Sequence, residues 1–208
     1  MGFEASVLAR IRRYREEAER SLTVQREVEE TARRFSERLF AGLERTAALG
    51  GEAGSGIEIE REKGVLALRA EAGHGAESRA TFGLLKGVAA ETDEDLMHDE
   101  LSRYNLDPSG YSGRILGWSE EAGEAPCQTF TIYGDGGWKT KGLFVAKARG
   151  WVDDSDEVLG GLCLRILGRL VDLAALTGGV GRRWAREPYT LTKLLEGVRH
   201  PTEVRWPR

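Results

Sequence analysis

Cysteine, histidine and proline are all scarce in this sequence, and each scarcity argues against a class of protein. The 208 residues include 2 cysteines, 3 histidines and 5 prolines. Cys127 and Cys163 lie far apart and without metal-ligand spacing, which argues against a disulfide-stapled secreted module and against a cysteine zinc site. Two isolated thiols fit a reducing compartment, so we expect a cytoplasmic protein.

The few histidines also restrict enzyme chemistry. His74 lies among glycines, His98 in an acidic stretch and His200 before a proline. No serine or cysteine has the sequence context of a nucleophile elbow, so the sequence offers no catalytic triad. We therefore expect no cofactor, and we favour a non-enzymatic protein over an enzyme.

Long uncharged hydrophobic runs are missing too. The most apolar stretch, residues 158–176, contains Arg165, Arg169 and Asp172. A membrane-spanning helix needs about 20 residues nearly free of charge, so we expect no membrane association. The first residues lack the apolar core of a signal peptide, which predicts no secretion signal.

The N-terminal segment has a helical pattern. Residues 3–49 contain no proline, and their apolar residues recur at three- and four-residue spacing. This period predicts one long helix, or a helical hairpin with a break between residues 21 and 25. A narrow apolar stripe on so long a helix needs a second helix to cover it, so we expect self-association in a coiled-coil-like manner. The predicted oligomerisation residues are Ile11, Tyr14, Phe35 and Leu39.

The rest of the chain alternates strand and helix signals. The predicted strands are 57–60, 65–69, 79–85, 114–119, 128–133 and 138–152, and the predicted helices are 92–104, 158–176 and 190–198. Residues 138–152 are long enough to cross a sheet as one strand with a bulge or bend at Gly142 or Gly150. Glycines at 160, 161 and 168 suggest that helix 158–176 closely approaches another backbone.

Together these signals predict an α+β fold. We expect a long N-terminal helix, then a mostly antiparallel sheet of five to six strands packed by two or three helices. The predicted divisions are a helical segment 1–49, a glycine-rich linker 50–56, a body 57–177 and a basic tail 178–208. This order of elements is similar to that of small secretion-chaperone-like α+β proteins, and the resemblance implies dimerisation and binding of protein segments.

One acidic stretch has the spacing of a metal site. Glu94, Asp95 and His98 share one side of the predicted helix 92–104. A carboxylate and an imidazole three or four residues apart can present two ligands to a divalent metal. An exposed acidic helix is the ordinary interpretation, because no further motif supplies a third ligand.

The C-terminal tail interleaves arginine with tryptophan. Residues 49–177 hold 13 basic and 22 acidic residues, a net of −9, whereas residues 178–208 hold seven basic and three acidic residues, a net of +4. Such a tail can bind single-stranded nucleic acid or a protein partner, or fold back as a strap on the acidic body. The candidate binding residues are Arg182, Arg183, Trp184 and Arg186.

Three functions follow in order of preference. The first is a protein-binding adaptor, chaperone or regulatory protein that self-associates through its N-terminal helix. The second is a nucleic-acid-binding protein that uses the Arg/Trp tail. The third is a metal-dependent hydrolase centred on His98 and its neighbouring carboxylates.

Overall fold

A computed structural model of the chain describes residues 3–52, 56–62, 64–72, 76–90, 111–122 and 126–178. Its helices are α1 (Phe3–Glu52) and α2 (Asp156–Gly178), with a 3-10 turn at Glu120–Ala122. Its strands are β1 (Gly56–Glu62), β2 (Val65–Ala72), β3 (Ala76–Leu84), β4 (Ala89–Ala90), β5 (Tyr111–Ser119), β6 (Gln128–Ile132), β7 (Gly137–Gly142) and β8 (Lys147–Trp151). The predicted helices 92–104 and 190–198 lie outside these residues.

The long N-terminal helix is confirmed, and it is one unbroken helix. It continues to Glu52, three residues beyond the predicted end, so its last turn occupies the start of the predicted linker. The stripe from Val28 onward is buried in the core, whereas the stripe nearer the N-terminus is exposed. The buried members are Val28, Ala32, Phe35, Leu39 and Leu43.

The sheet is antiparallel throughout, which confirms the predicted α+β class. Its order is β1-β2-β3-β5-β6-β7-β8, and the two-residue β4 pairs with β5. This count exceeds the predicted five to six strands. One cause is that residues 138–152 form the β7–β8 hairpin and not a single long strand.

The turn between β7 and β8 is held by a buried side chain. The Gln128 side-chain oxygen accepts hydrogen bonds from the backbone N–H groups of Phe144 and Val145, at 2.9 and 3.0 Å. The same amide donates from Nε2 to the Val145 carbonyl, at 3.1 Å, and to Thr140 Oγ1, at 2.6 Å. These bonds satisfy backbone groups that a buried turn would otherwise leave unpaired.

Both helices cover one face of the sheet and share its core. An aromatic cluster joins the layers: the Phe35 ring of α1 stacks on Trp138 of β7 with centroids 5.2 Å apart. Phe130 lies 6.1 Å from Phe35 and 6.5 Å from Phe82, and Phe82 lies 5.4 Å from Phe144. The second half of α1 is thus part of the core, whereas residues 6–20 of its first half are exposed.

Close helix approach occurs at glycines other than those expected. A Cβ at Gly113 of β5 would lie 2.3 Å from the Ala32 Cβ, and one at Gly42 would lie 2.9 Å from the Cys163 Sγ. These two glycines therefore let α1 approach the sheet and α2. Among the described residues the expectation for residues 160, 161 and 168 is not met, because no atom beyond the local helix backbone lies within 4 Å of a Cβ built at any of them.

An arginine of α1 fixes the start of α2. Arg38 donates to the carbonyls of Val152 and Asp154 and to the Asp156 carboxylate. The pKa of Asp156 is lowered, first by the hydrogen bond from Arg38 and then by that from Arg45. Asp156 lies in the first turn of α2, where a negative charge also interacts well with the helix dipole. Neither described helix has the length and apolar character that crossing a membrane requires.

Candidate functional site

The first half of α1 is a bare helix. Residues 6–20 are exposed without exception, and we call them the α1 extension. An isolated helix of about 15 residues is only marginally stable in water. The α1 extension is stabilised because it continues the packed half of α1, and by ion pairs such as that between Arg13 Nε and Glu17 Oε1, which lie 2.8 Å apart.

Of the four predicted oligomerisation residues, two lie on the surface. Ile11 is 44% exposed and Tyr14 56% exposed, both on the α1 extension. Phe35 and Leu39 are at most 1% exposed, because the sheet and α2 cover them within one chain. Only the first pair is accessible to another molecule in this structure.

The exposed stripe has heptad spacing. Val7, Ile11, Tyr14 and Ala18 follow one another at intervals of four, three and four residues. The same spacing continues through Ser21 and Gln25 to Val28, where burial begins. One stripe is thus covered by the body in its second half and uncovered in its first.

The second candidate surface is the sheet face that points away from the helices, which we call the open face. Strand register puts acidic residues at its β1 side and basic residues at its β8 side. The outward side chains of β1 are Glu58, Glu60 and Glu62, and those of the β7–β8 hairpin include Lys139, Lys141, Lys147 and Arg149.

The β1 side of the open face contains a network of ion pairs. Arg69 binds Glu58 at 2.9 Å and Glu77 at 2.8 Å, and Arg79 binds Glu77 at 2.9 Å. The pKa of Glu77 is lowered, chiefly by the hydrogen bond from Arg69. The pKa of Arg69 is raised, chiefly by its hydrogen bond to Glu77.

Three residues of this network, Glu58, Arg69 and Arg79, help to line a trough of about 580 Å³. Its floor is Ala67 and Thr81, which pair directly with Glu60 on one side and with Trp118 on the other. The small floor residues leave space between a carboxylate and an indole ring. Glu60 forms no ion pair within the part of the chain that the structure describes.

The β8 side carries four cations in a square, which we call the basic quartet. Lys139 pairs directly with Arg149, and Lys141 with Lys147. Sequence reasoning missed this cluster because a single strand 138–152 would spread the four side chains over about 33 Å. No local turn signal marked the hairpin, because the apolar run Leu143–Ala146, which forms the turn, resembles the middle of a strand.

The remaining predicted site residues lie outside the described part of the chain. These are the metal candidates Glu94, Asp95 and His98 and the tail residues Arg182, Arg183, Trp184 and Arg186. Within the described segments, no group of three or more histidine, cysteine, aspartate or glutamate side chains is placed to hold a metal. Burial raises the pKa of the Cys163 thiol to about 11, which makes that thiol a poor nucleophile at neutral pH.

Comparisons of this chain with protein-family models, with curated proteins and with solved structures found no match.

Proposed function

We propose that this protein is a non-enzymatic adaptor that self-associates through the α1 extension and binds a protein segment on the open face of its sheet. The observation that carries the proposal is the stripe of α1, which is core in one half of the helix and solvent-exposed in the other. A second copy of the same helix, aligned antiparallel, is the occupant we assign to the exposed half.

Charge favours the antiparallel arrangement. In a parallel pair with Ile11 and Ala18 at core positions, Arg10 of one helix faces Arg15 of the other, which is repulsive. In an antiparallel pair that aligns Ile11 with Tyr14, Arg10 faces Glu17 of the second copy. The same alignment brings Val7 against Ala18, so all four stripe residues are covered.

The expected pairing is weak. The exposed stripe spans about two heptads, and sustained coiled coils use three to four or more. Full burial of an apolar side chain stabilises a structure by about 1.5–3 kcal/mol. Ile11 and Tyr14 are already partly shielded in the single chain, so each contributes less than this to the free energy of pairing. We therefore expect an equilibrium between monomer and dimer that depends on protein concentration.

Two matched substitutions test the pairing. Ala18→Glu puts a charge into the stripe, whereas Ala9→Glu makes the same change on the opposite side of the exposed helix. Light scattering over a range of concentrations should show dimerisation of the unchanged protein and of A9E, and monomeric A18E. If A18E dimerises as well as A9E, or if the unchanged protein is monomeric throughout, the pairing is wrong.

The trough supports the second part of the proposal, that a protein segment binds on the open face. Trp118 offers an aromatic face and Glu60 a carboxylate on opposite sides of the small floor residues. One cation of a bound segment can stack on Trp118 and a second can pair with Glu60, which favours a partner segment that carries lysine or arginine. A photo-crosslinking residue at Thr81 should capture such a partner in host cells, and one at the exposed Val158 of α2 should not. Equal capture from both positions would contradict the assignment.

A further inference from the structure

We propose that the basic quartet is a binding site for single-stranded nucleic acid, which it contacts through the phosphate backbone. This goes beyond the adaptor function, because it concerns the other side of the open face. The first argument is geometric. Strand pairing puts Lys139 opposite Arg149 and Lys141 opposite Lys147, with about 4.5–5.5 Å between directly paired residues.

Such an arrangement is unfavourable in the free protein. Like charges directly opposite each other destabilise a sheet, and Lys141 and Lys147 form such a pair next to the exposed Arg149. No described carboxylate lies within 4.0 Å of the charged groups of Lys141, Lys147 or Arg149. Residues 136–152 contain four basic residues and no acidic one. A bound polyanion would convert this repulsion into attraction.

Protection of the sheet edge explains only half of the quartet. Edge strands are commonly charged to prevent pairing with other chains, and β8 is an edge strand. Lys147 and Arg149 fit that role. Lys139 and Lys141 belong to β7, which is paired on both sides, so they protect no edge.

The acidic side of the open face does not cancel the quartet. Glu77 on β3 is separated from β7 by three strand spacings, which is about 14 Å. The Debye length at physiological ionic strength is about 8 Å, so exposed charges at this separation are largely screened. An overall charge of −4 is therefore compatible with local binding of a polyanion.

The surroundings of the quartet favour nucleic acid over a membrane or an acidic protein. Thr129 of β6 pairs with Lys141 and brings a hydroxyl group to the same face, whereas Thr131, opposite Lys139, is only 8% exposed. The aromatic surface comes from Trp151 at the end of β8, which is 52% exposed and follows Arg149 by two residues on the same side of the strand. Cations combined with aromatic surfaces are typical of proteins that bind single strands.

Fluorescence anisotropy with an oligothymidine of about 15 nucleotides tests the proposal. Phosphate contacts from the three exposed cations, Lys141, Lys147 and Arg149, predict a slope of log K against log salt of about −2.1, and K141Q/K147Q should reduce its magnitude by about 1.4 and weaken binding by about tenfold. The control K86Q/R165Q removes the same charge from exposed positions elsewhere and should change neither value. Monomeric A18E should keep the slope, which separates this proposal from the pairing of α1.

Three results would overturn the proposal. The first is no binding of the oligothymidine by the full chain at low salt. The second is equal loss of affinity in K86Q/R165Q and K141Q/K147Q, which would indicate net charge alone. The third is equal, quartet-dependent binding of polyglutamate or of vesicles containing phosphatidylserine, which would assign the quartet to acidic protein or to membrane.

Discussion

At the scale of single residues, the buried Gln128 holds the turn between β7 and β8 in place. Its side chain is 1% exposed, and it bonds three backbone groups of the turn between β7 and β8. Because that turn folds residues 137–151 into a hairpin, Gln128 positions the basic quartet without contacting any ligand. The residue acts on the open face from inside the core.

Removing this amide should be costly. Gln128→Ala leaves buried N–H and carbonyl groups unpaired, at about 1–3 kcal/mol for each orphaned group, so we expect a loss of about 2–4 kcal/mol in unfolding free energy. Gln25→Ala, on the partly exposed side of α1, should cost less than about 0.5 kcal/mol. Urea denaturation of both variants decides the matter. Equal losses would show that the turn does not depend on Gln128.

A second residue-scale prediction concerns Glu77 and acid stability. Its pKa is lowered in the folded state, chiefly by the hydrogen bond from Arg69. A lowered pKa stabilises the fold above the ordinary carboxyl range, and the contribution disappears as pH falls through the folded-state value. Glu77→Gln should therefore be less stable than the unchanged protein near neutral pH, and the difference should shrink as pH falls through the folded-state pKa of Glu77.

Glu60→Gln is the matched control for this pH series. Glu60 pairs directly with Ala67, is exposed, and forms no ion pair among the described residues. Denaturation across the acid range should show a smaller pH-dependent difference for E60Q than for E77Q. A difference that persists unchanged at low pH in E77Q would mean that its effect is not electrostatic.

At the scale of elements, the β7–β8 hairpin predicts a conflict between stability and binding. Lys147→Glu replaces a like-charge pair with an opposite-charge pair facing Lys141. We expect unfolding free energy to rise by about 0.2–1 kcal/mol and affinity for oligothymidine to fall. Thermal denaturation and anisotropy on one preparation measure both. A variant that loses stability would show that the two lysines do not repel each other.

Elements with a strong local pattern could be predicted from the sequence. The helical period of residues 3–49 predicted α1, and the alternation before and after Gly64 predicted β1 and β2. The β7–β8 hairpin could not be predicted, because Leu143–Ala146 resembles the middle of a strand. Its turn depends on Gln128, which lies 16 and 17 residues away in sequence from Phe144 and Val145, and no local signal contains that contact.

The same limit applied to the candidate site. The apolar stripe of α1 was visible in the sequence, but its division into a buried and an exposed half was not. That division depends on where the sheet and α2 end relative to α1, as the contact of Gly113 with Ala32 shows. The sequence placed Ile11, Tyr14, Phe35 and Leu39 on one stripe, and only the structure separates the exposed Ile11 and Tyr14 from the buried Phe35 and Leu39.

At the scale of the whole molecule, the described residues combine a helix whose first half is exposed with a sheet that carries both described helices on one face. Pairing of two α1 extensions would join two bodies, each with an aromatic trough beside acidic residues and a basic quartet. The antiparallel alignment is symmetric about the middle of the extension, near residues 12 and 13. Distances between identical positions on two copies therefore reveal the arrangement.

The most direct test measures those distances by spin labelling. Arg12→Cys and Arg20→Cys would each carry one label in a background without Cys127, since Cys163 is buried. Antiparallel pairing predicts that the label-to-label distance is shorter at position 12 than at position 20, where the axial separation alone is about 22 Å at 1.5 Å per residue. Equal short distances at both positions, or no dipolar coupling at either, would contradict antiparallel pairing of the α1 extension.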